Sequence, residues 1–151
     1  MKVAISSDHR GFSAKRRVAE LLQRSGHEVV DFGCMSPEVC DYPDMGLTAA
    51  QAVAEGRCDR GILLCGTGIG MSITANKVKG VRAASVHDEL TATLSRKHNN
   101  ANILCLAADL VGEELIRRVV DVFLKTEFEG GRHQRRLQKI TEYESRNGQA
   151  V

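Results

Sequence analysis

The chain has 151 residues, of which 42% are hydrophobic and 26% charged, with 21 Lys and Arg against 19 Asp and Glu. A domain of this length buries roughly 68–70% of its unfolded surface, so one real core is expected over 1–151 and disorder is excluded. The net charge of +2, the 4% aromatic content and the lack of Trp argue against nucleic acid and against an anionic membrane as partners.

No apolar run approaches the roughly 18 residues of a membrane span, and no signal peptide follows Met1. The five cysteines, Cys34, Cys40, Cys58, Cys65 and Cys105, are odd in number and form no C-x-x-C pair. That pattern predicts reduced thiols and a cytoplasmic protein rather than a disulfide framework or zinc ribbon.

Strand and helix signals alternate. Lys2–Ser6 reads as a short strand, and Gly11–Ser25 as a helix with Ala14, Val18, Leu21 and Leu22 on one face, stopped by Gly26. His27–Phe32 is a second strand. Gly33–Pro43 is a loop in which Asp41-Tyr42-Pro43 reads as a turn, and Asp44–Glu55 is an Ala-rich helix. Arg60–Cys65 is a buried strand, followed by the Gly-rich stretch 66–70 and a helix to Asn76. Val81–Val86 is a fourth strand, and Asp88 caps a helix ending near His98-Asn99. Asn102–Leu106 is a fifth strand. Glu113 and Glu114 open a helix with a broad apolar face, and a final basic helix spans about 131–146. Strands separated by helices predict right-handed crossovers and an α/β fold with a five-stranded, mainly parallel sheet covered on both faces. The last helix has only Leu137, Ile140 and Tyr143 as its apolar stripe, which suits it to lie across a partner subunit.

In open parallel sheets ligands bind beyond the carboxyl ends of the strands. Strand one ends in Ser7-Asp8-His9-Arg10-Gly11, and strand three in Cys65-Gly66-Thr67-Gly68-Ile69-Gly70-Met71-Ser72. The glycines let the backbone approach a ligand closely, and backbone amides there can face an anion. A dinucleotide fingerprint would need Gly at position 71, where the chain has Met71, and no Walker A sequence occurs; a tight structural turn is the other bland reading. Cys65 closes a buried strand and opens this loop, so it is either an inert core thiol or a thiolate acting as nucleophile or base. Asp8 and His9 read either as a helix cap with an exposed ring or as reacting groups, and His98-Asn99 either as a helix C-cap or as substrate contacts. Arg132 and Arg136, spaced i, i+4, place two guanidiniums on one helix face: a clamp for phosphate or carboxylate, or a solvated basic face.

The ordered set Ser-Asp-His-x-Gly-Phe at 7–12, Asp-Tyr-Pro at 41–43, Cys-Gly-Thr-Gly-Ile-Gly-Met-Ser at 65–72, Ala-Asn-Lys at 75–77, Leu-Ser-Arg-x-His-Asn at 94–99 and Glu-Gly-Gly-Arg-His at 129–133 resembles the type B ribose-5-phosphate isomerase family, which includes galactose-6-phosphate isomerase subunits. The resemblance runs from Lys2 to about Tyr143. It implies a Rossmann-like α/β/α sandwich, a homodimer or dimer of dimers with sites shared across the interface, and a reversible aldose–ketose isomerisation of a sugar phosphate with no metal or organic cofactor.

Carried over by position, Cys65 is the base that moves a proton between C1 and C2. Thr67 and His98 assist ring opening, with Asp8 near the ring oxygen or hydroxyls. Amides of the loop containing Gly66, Gly68 and Gly70 surround the enediolate oxygens, and Ser72 seats the loop. Tyr42 and Asn99 contact the sugar. His9, Arg132 and Arg136 hold the phosphate, with His133 beside it. Some members carry a Glu base where this chain has Met71, and many carry Arg where it has Asp109. The second departure leaves open an isomerase for another sugar phosphate, such as allose or galactose 6-phosphate or a tetrose phosphate. A non-catalytic phosphometabolite-binding module is the alternative from a different class.

Overall fold

In the computed structural model, which describes residues 1–147, apolar runs and amphipathic stretches alternate as β1 (Lys2–Ser7), α1 (Phe12–Arg24), β2 (Glu28–Asp31), α2 (Tyr42–Ala54), β3 (Arg60–Cys65), α3 (Ile69–Ala75), β4 (Ala83–Ser85), α4 (Glu89–Asn99), β5 (Ile103–Ala107), α5 (Glu113–Lys125) and α6 (Arg132–Asn147). The last four residues of the expected 1–151 domain lie outside the described residues. No described helix is long and apolar enough to cross a membrane.

All strand pairs are parallel, in the order β2-β1-β3-β5-β4. The central strands β1, β3 and β5 are buried on both faces, which is why β3 and β5 read as apolar runs rather than alternating ones, while β1 adds the buried Ser6 and Ser7 to Val3-Ala4-Ile5. Ile5, Ile62, Leu64, Leu104 and Leu106 meet α1, α4 and α5 on one face. Ala4, Leu63, Cys65, Ile103 and Cys105 meet α2 and α3 on the other. This is a three-layer α/β/α sandwich. Helix α5 illustrates the packing: Ile116, Val119, Val120, Phe123 and Leu124 recur at three- and four-residue spacing and are buried, each worth roughly 1.5–3 kcal/mol.

The strand order reverses direction at β1 and β3, because the chain passes from β1 outward to β2 and then returns to the far side of β1. The crevice at their carboxyl ends is therefore the topological switch point, where open α/β sheets accept ligands. It lies between Asp8 and Cys65.

Element boundaries shift by a residue or two from the sequence reading, and two of the shifts have a clear cause. Helix α2 starts at Tyr42 rather than Asp44: Pro43 occupies its first turn, where a missing N–H costs nothing, so the Asp-Tyr-Pro turn signal is a helix start. Strand β4 keeps only Ala83–Ser85 of the expected Val81–Val86, since it is an edge strand paired with β5 alone. Helix α4 ends at Asn99 as expected, with Asn100 as its cap in the left-handed conformation at φ 44°. Asp88 caps its start as expected, accepting from Thr91 N at 2.7 Å.

Helix α6 rests on its own chain through the buried His133 and Leu137. Its outward Ile140 and Tyr143 are 50% and 69% exposed.

Candidate active site

The groups that follow β1 and β3 in the sequence reading come to the switch-point crevice. Asp8 is buried, and its Oδ1 accepts from Gly11 N at 2.9 Å, so the loop after β1 closes on its own carboxylate. The next side chain, His9, is held by Cys40: Nδ1 accepts from Cys40 N at 3.4 Å. Burial, with Cys34 second, pushes the Cys40 thiol up to about 11, so it stays protonated. Burial likewise raises Cys58 and Cys105.

Cys65 ends β3 facing the α2 and α3 layer, and its Sγ accepts from Gly68 N at 3.1 Å. That contact bends the loop back over the sulfur, which requires the positive φ of 75° that Gly68 supplies. Thr67 at the loop apex is exposed, with Oγ1 accepting from Ile69 N at 3.3 Å. The Tyr42 ring lies over Gly70, 2.8 Å from where a Cβ would stand. Ser72 donates to Ala83 O at 3.4 Å, and Asn76 donates to the same carbonyl at 2.9 Å; both tie α3 to β4. Met71 is fully buried in the α2 and α3 core and brings no titratable group.

The fifth strand's tip is bound to the same loop. Ala108 N donates to Cys65 O at 2.9 Å and Asp109 N to Gly66 O at 3.1 Å. The Asp109 carboxylate is ion-paired with Arg10. A Cβ at position 66 would meet Asp109 Oδ2 at 2.7 Å and Arg10 Nε at 2.9 Å, so this pair lies directly on the backbone of Gly66.

The remaining expected residues gather elsewhere. His98 and Asn99 end α4, which runs antiparallel to the strands and delivers the chain to the start of β5. Cys65 pairs with Ala107, at the end of β5. The length of β5 separates the two sets: four residue steps, about 13 Å at roughly 3.3 Å each. Within one chain, His98 therefore does not reach the crevice.

Around His98 a second polar cluster forms. Its ring stacks on His133 with centroids 4.2 Å apart. Arg96 is buried beneath the turn, donating to Asn100 Oδ1 at 2.9 Å and Ala101 O at 2.6 Å, and desolvation lowers its pKa to about 10. Arg132 and Arg136 are exposed on α6, and neither has an ion pair among the described residues. His98, Glu129 and His133 place donor atoms within 4.8 Å of one another. Their imidazole planes are 7° from parallel, so lone pairs lying in those planes do not converge on a shared ion.

The sequence profile of Ribose/Galactose Isomerase matches residues 3–140. The chain belongs to the ribose/galactose isomerase family. Within the family it is 46% identical over 145 residues to ribose-5-phosphate isomerase B of Escherichia coli (strain K12), covering 96% of this chain and 97% of that one. Among solved family structures, ribose-5-phosphate isomerase B of Clostridium thermocellum superposes with a TM-score of 0.96 at 52% identity, covering 97% of this chain and 99% of that chain. The enzyme of Mycoplasma genitalium with bound ribulose-5-phosphate gives 0.93 at 46% identity, covering 95% and 96%.

Sequence reasoning passed over two parts of the site. Arg10 stood as the unassigned position in Ser-Asp-His-x-Gly, although a count of charges in the strand-tip loops singles it out. Glu129 stood only as part of a motif, yet it anchors the turn before α6, its N donating to Lys97 O at 3.1 Å.

Proposed function

We propose that this chain is an aldose–ketose isomerase that interconverts ribose 5-phosphate and ribulose 5-phosphate, with Cys65 as its base. The observation that carries the reading is the Cys65 sulfur held by the Gly68 amide at the switch-point crevice, at the tip of the strand next to the one that ends before the buried Asp8. The reaction moves hydrogen within one molecule and leaves the sugar's oxidation level unchanged, so acid–base groups suffice.

The ring opens first, with Thr67, Asp8 and His98 exchanging protons at the ring oxygen and the anomeric hydroxyl. The Cys65 thiolate then takes the proton from C2 of the open aldose. The C2–H electron pair forms the C1–C2 double bond, and the carbonyl electrons move to O1. Amides of residues 66–70 stabilise that oxygen, each such donor being worth about 3 kcal/mol. A proton passes from O2 to O1, the freed O2 electrons form the C2 carbonyl, and the C1–C2 π pair takes the proton back from Cys65 at C1. General acid–base help of this kind is worth about 10²–10⁴-fold. Tyr42 and Asn99 hold hydroxyls. His9, Arg132 and Arg136, with His133 beside them, hold the phosphate and fix C1 and C2 against the sulfur.

This division requires two copies. His98, Asn99, Arg132 and Arg136 stand toward the opposite end of the strands from Cys65, so they serve the crevice of a second copy, reached by α6 with Ile140 and Tyr143 at the contact. A dimer is the smallest assembly with a complete site.

The test is a substrate panel of tetrose, pentose and hexose phosphates, assayed for ketose formation beside the protein's sedimentation behaviour. Ribose 5-phosphate is expected to give the highest kcat/KM, from a species no smaller than a dimer. Absence of turnover with every sugar phosphate would return the protein to a binding role.

A further inference from the structure

A sugar phosphate brings two negative charges to the crevice, and the loops following the five strands are poorly equipped to receive them. Those loops, residues 8–11, 32–41, 66–68, 86–88 and 108–112, carry Asp8, Glu38, Asp41, Asp88 and Asp109. Against five carboxylates they contain a single Lys or Arg, Arg10.

Arg10 is not a freely ranging surface side chain. It follows Asp8 and His9, and its guanidinium pairs with Asp109 across the backbone of Gly66. Asp109 is itself fixed, because its amide and that of Ala108 extend the β3–β5 ladder past the strand ends onto Gly66 and Cys65. Gly66 leaves room for the pair. The Arg10 side chain remains 60% exposed. A guanidinium has five N–H donors in a rigid fork, and one carboxylate engages only one edge of it. The other donors are left for a second anion beside the glycine loop.

We infer that Arg10 is the phosphate-contacting cation that this chain itself contributes to the crevice, and that Asp109 is its positioning residue. The inference rests on the sugar-phosphate reading and adds to it a binding residue and its holder. It also gives the negative charge of Asp109 a use: the carboxylate orients a cation toward the anion instead of repelling it.

The test is a double-mutant cycle on the purified enzyme with Arg10→Met and Asp109→Asn, reading kcat, KM and competitive inhibition by inorganic phosphate. Loss of a charge-assisted contact in Arg10→Met raises KM and the phosphate inhibition constant by about tenfold or more, while kcat stays within about twofold. Asp109→Asn raises KM by a smaller factor when Arg10 is present and has no further effect when it is absent. Arg17→Met, which removes an α1 arginine paired with Glu113, is the control and leaves all three readings unchanged. Unchanged KM and phosphate inhibition in Arg10→Met overturn the inference. So does a fall in KM in Asp109→Asn, which would mark the carboxylate as a repelling group. If no sugar phosphate is turned over at all, the functional reading fails on its own. Calorimetric titration of wild type and Arg10→Met with inorganic phosphate then decides the Arg10 contact: weaker binding in the variant upholds it, and equal or absent binding rejects it.

Discussion

His98 and His133 stack with ring centroids 4.2 Å apart and planes 7° from parallel. His133 is buried, and its Nε2 has no hydrogen-bond partner among the described residues. Desolvation, then His98, Arg132 and Arg136, hold its pKa below the ordinary histidine value, with Glu129 opposing them. A histidine whose pKa is depressed by folding binds its proton more readily when unfolded. Stability is then full above the unfolded value of about 6.5 and is lost as pH falls through the interval below it. The thermal midpoint of the wild type is expected to drop as pH is lowered through that interval. His133→Phe, which keeps a flat ring and removes the titration, is expected to flatten part of that drop. Scanning calorimetry from pH 5 to 8 reads it, and identical pH profiles would place the sensitivity elsewhere.

Cys65→Ala is expected to lose about 10²-fold or more in kcat while phosphate inhibition stays near wild type. The small side chain fits the space of the sulfur, and the circular dichroism spectrum is expected to be unchanged. Full turnover in this variant would remove Cys65 from the mechanism.

Two glycines predict opposite symptoms. At Gly11 a Cβ would stand 2.6 Å from Leu64 O and 2.8 Å from Leu64 C, backbone atoms that cannot move aside. Gly11→Ala is expected to cost about 1–3 kcal/mol in urea unfolding. At Gly66 the obstructing atoms belong to the side chains of Asp109 and Arg10. Gly66→Ala is expected to leave the unfolding midpoint nearly unchanged and to raise KM by displacing that pair.

Lys15 lies on α1 with 1% exposure and donates at 2.7 Å to both carboxylate oxygens of Asp31 and to Cys34 O. Asp31→Asn leaves the buried ammonium without its counter-charge and is expected to cost about 3 kcal/mol. Lys15→Met is expected to cost less, because the Asp31 side chain is 38% exposed and water can replace the lost partner. Urea unfolding of the two variants gives the order, and the reverse order would show that the carboxylate carries the penalty.

The order of strands and helices was legible because buried parallel strands are unbroken apolar runs, and Ile62-Leu63-Leu64-Cys65 admits little else. The strand-tip set of Asp8, His9, Cys65 and Thr67 was legible for the same reason, since tips follow from strand ends. The start of α2 was not, because Pro43 signals a turn and a first helical turn alike. Nor was the burial of Lys15 and Arg96: both sit on helix faces where a charge ordinarily meets water, and only tertiary acceptors at Asp31, Cys34, Ala101 and Thr126 explain them. The distance between His98 and Cys65 is a property of strand direction, which no motif encodes.

The register joins Val3 to Arg60 and Gly61 to Ile103, so the walls of the crevice come from segments far apart along the chain. Closing such long loops costs entropy before any contact offsets it, which places this domain among slow-folding topologies. It also means the crevice has no local precursor. A fragment ending before β5 would leave β3 as an edge strand and the glycine loop without the amides of Ala108 and Asp109 that pin it. The crevice should therefore form late and all at once during synthesis, when β5 has emerged and slotted in beside β3.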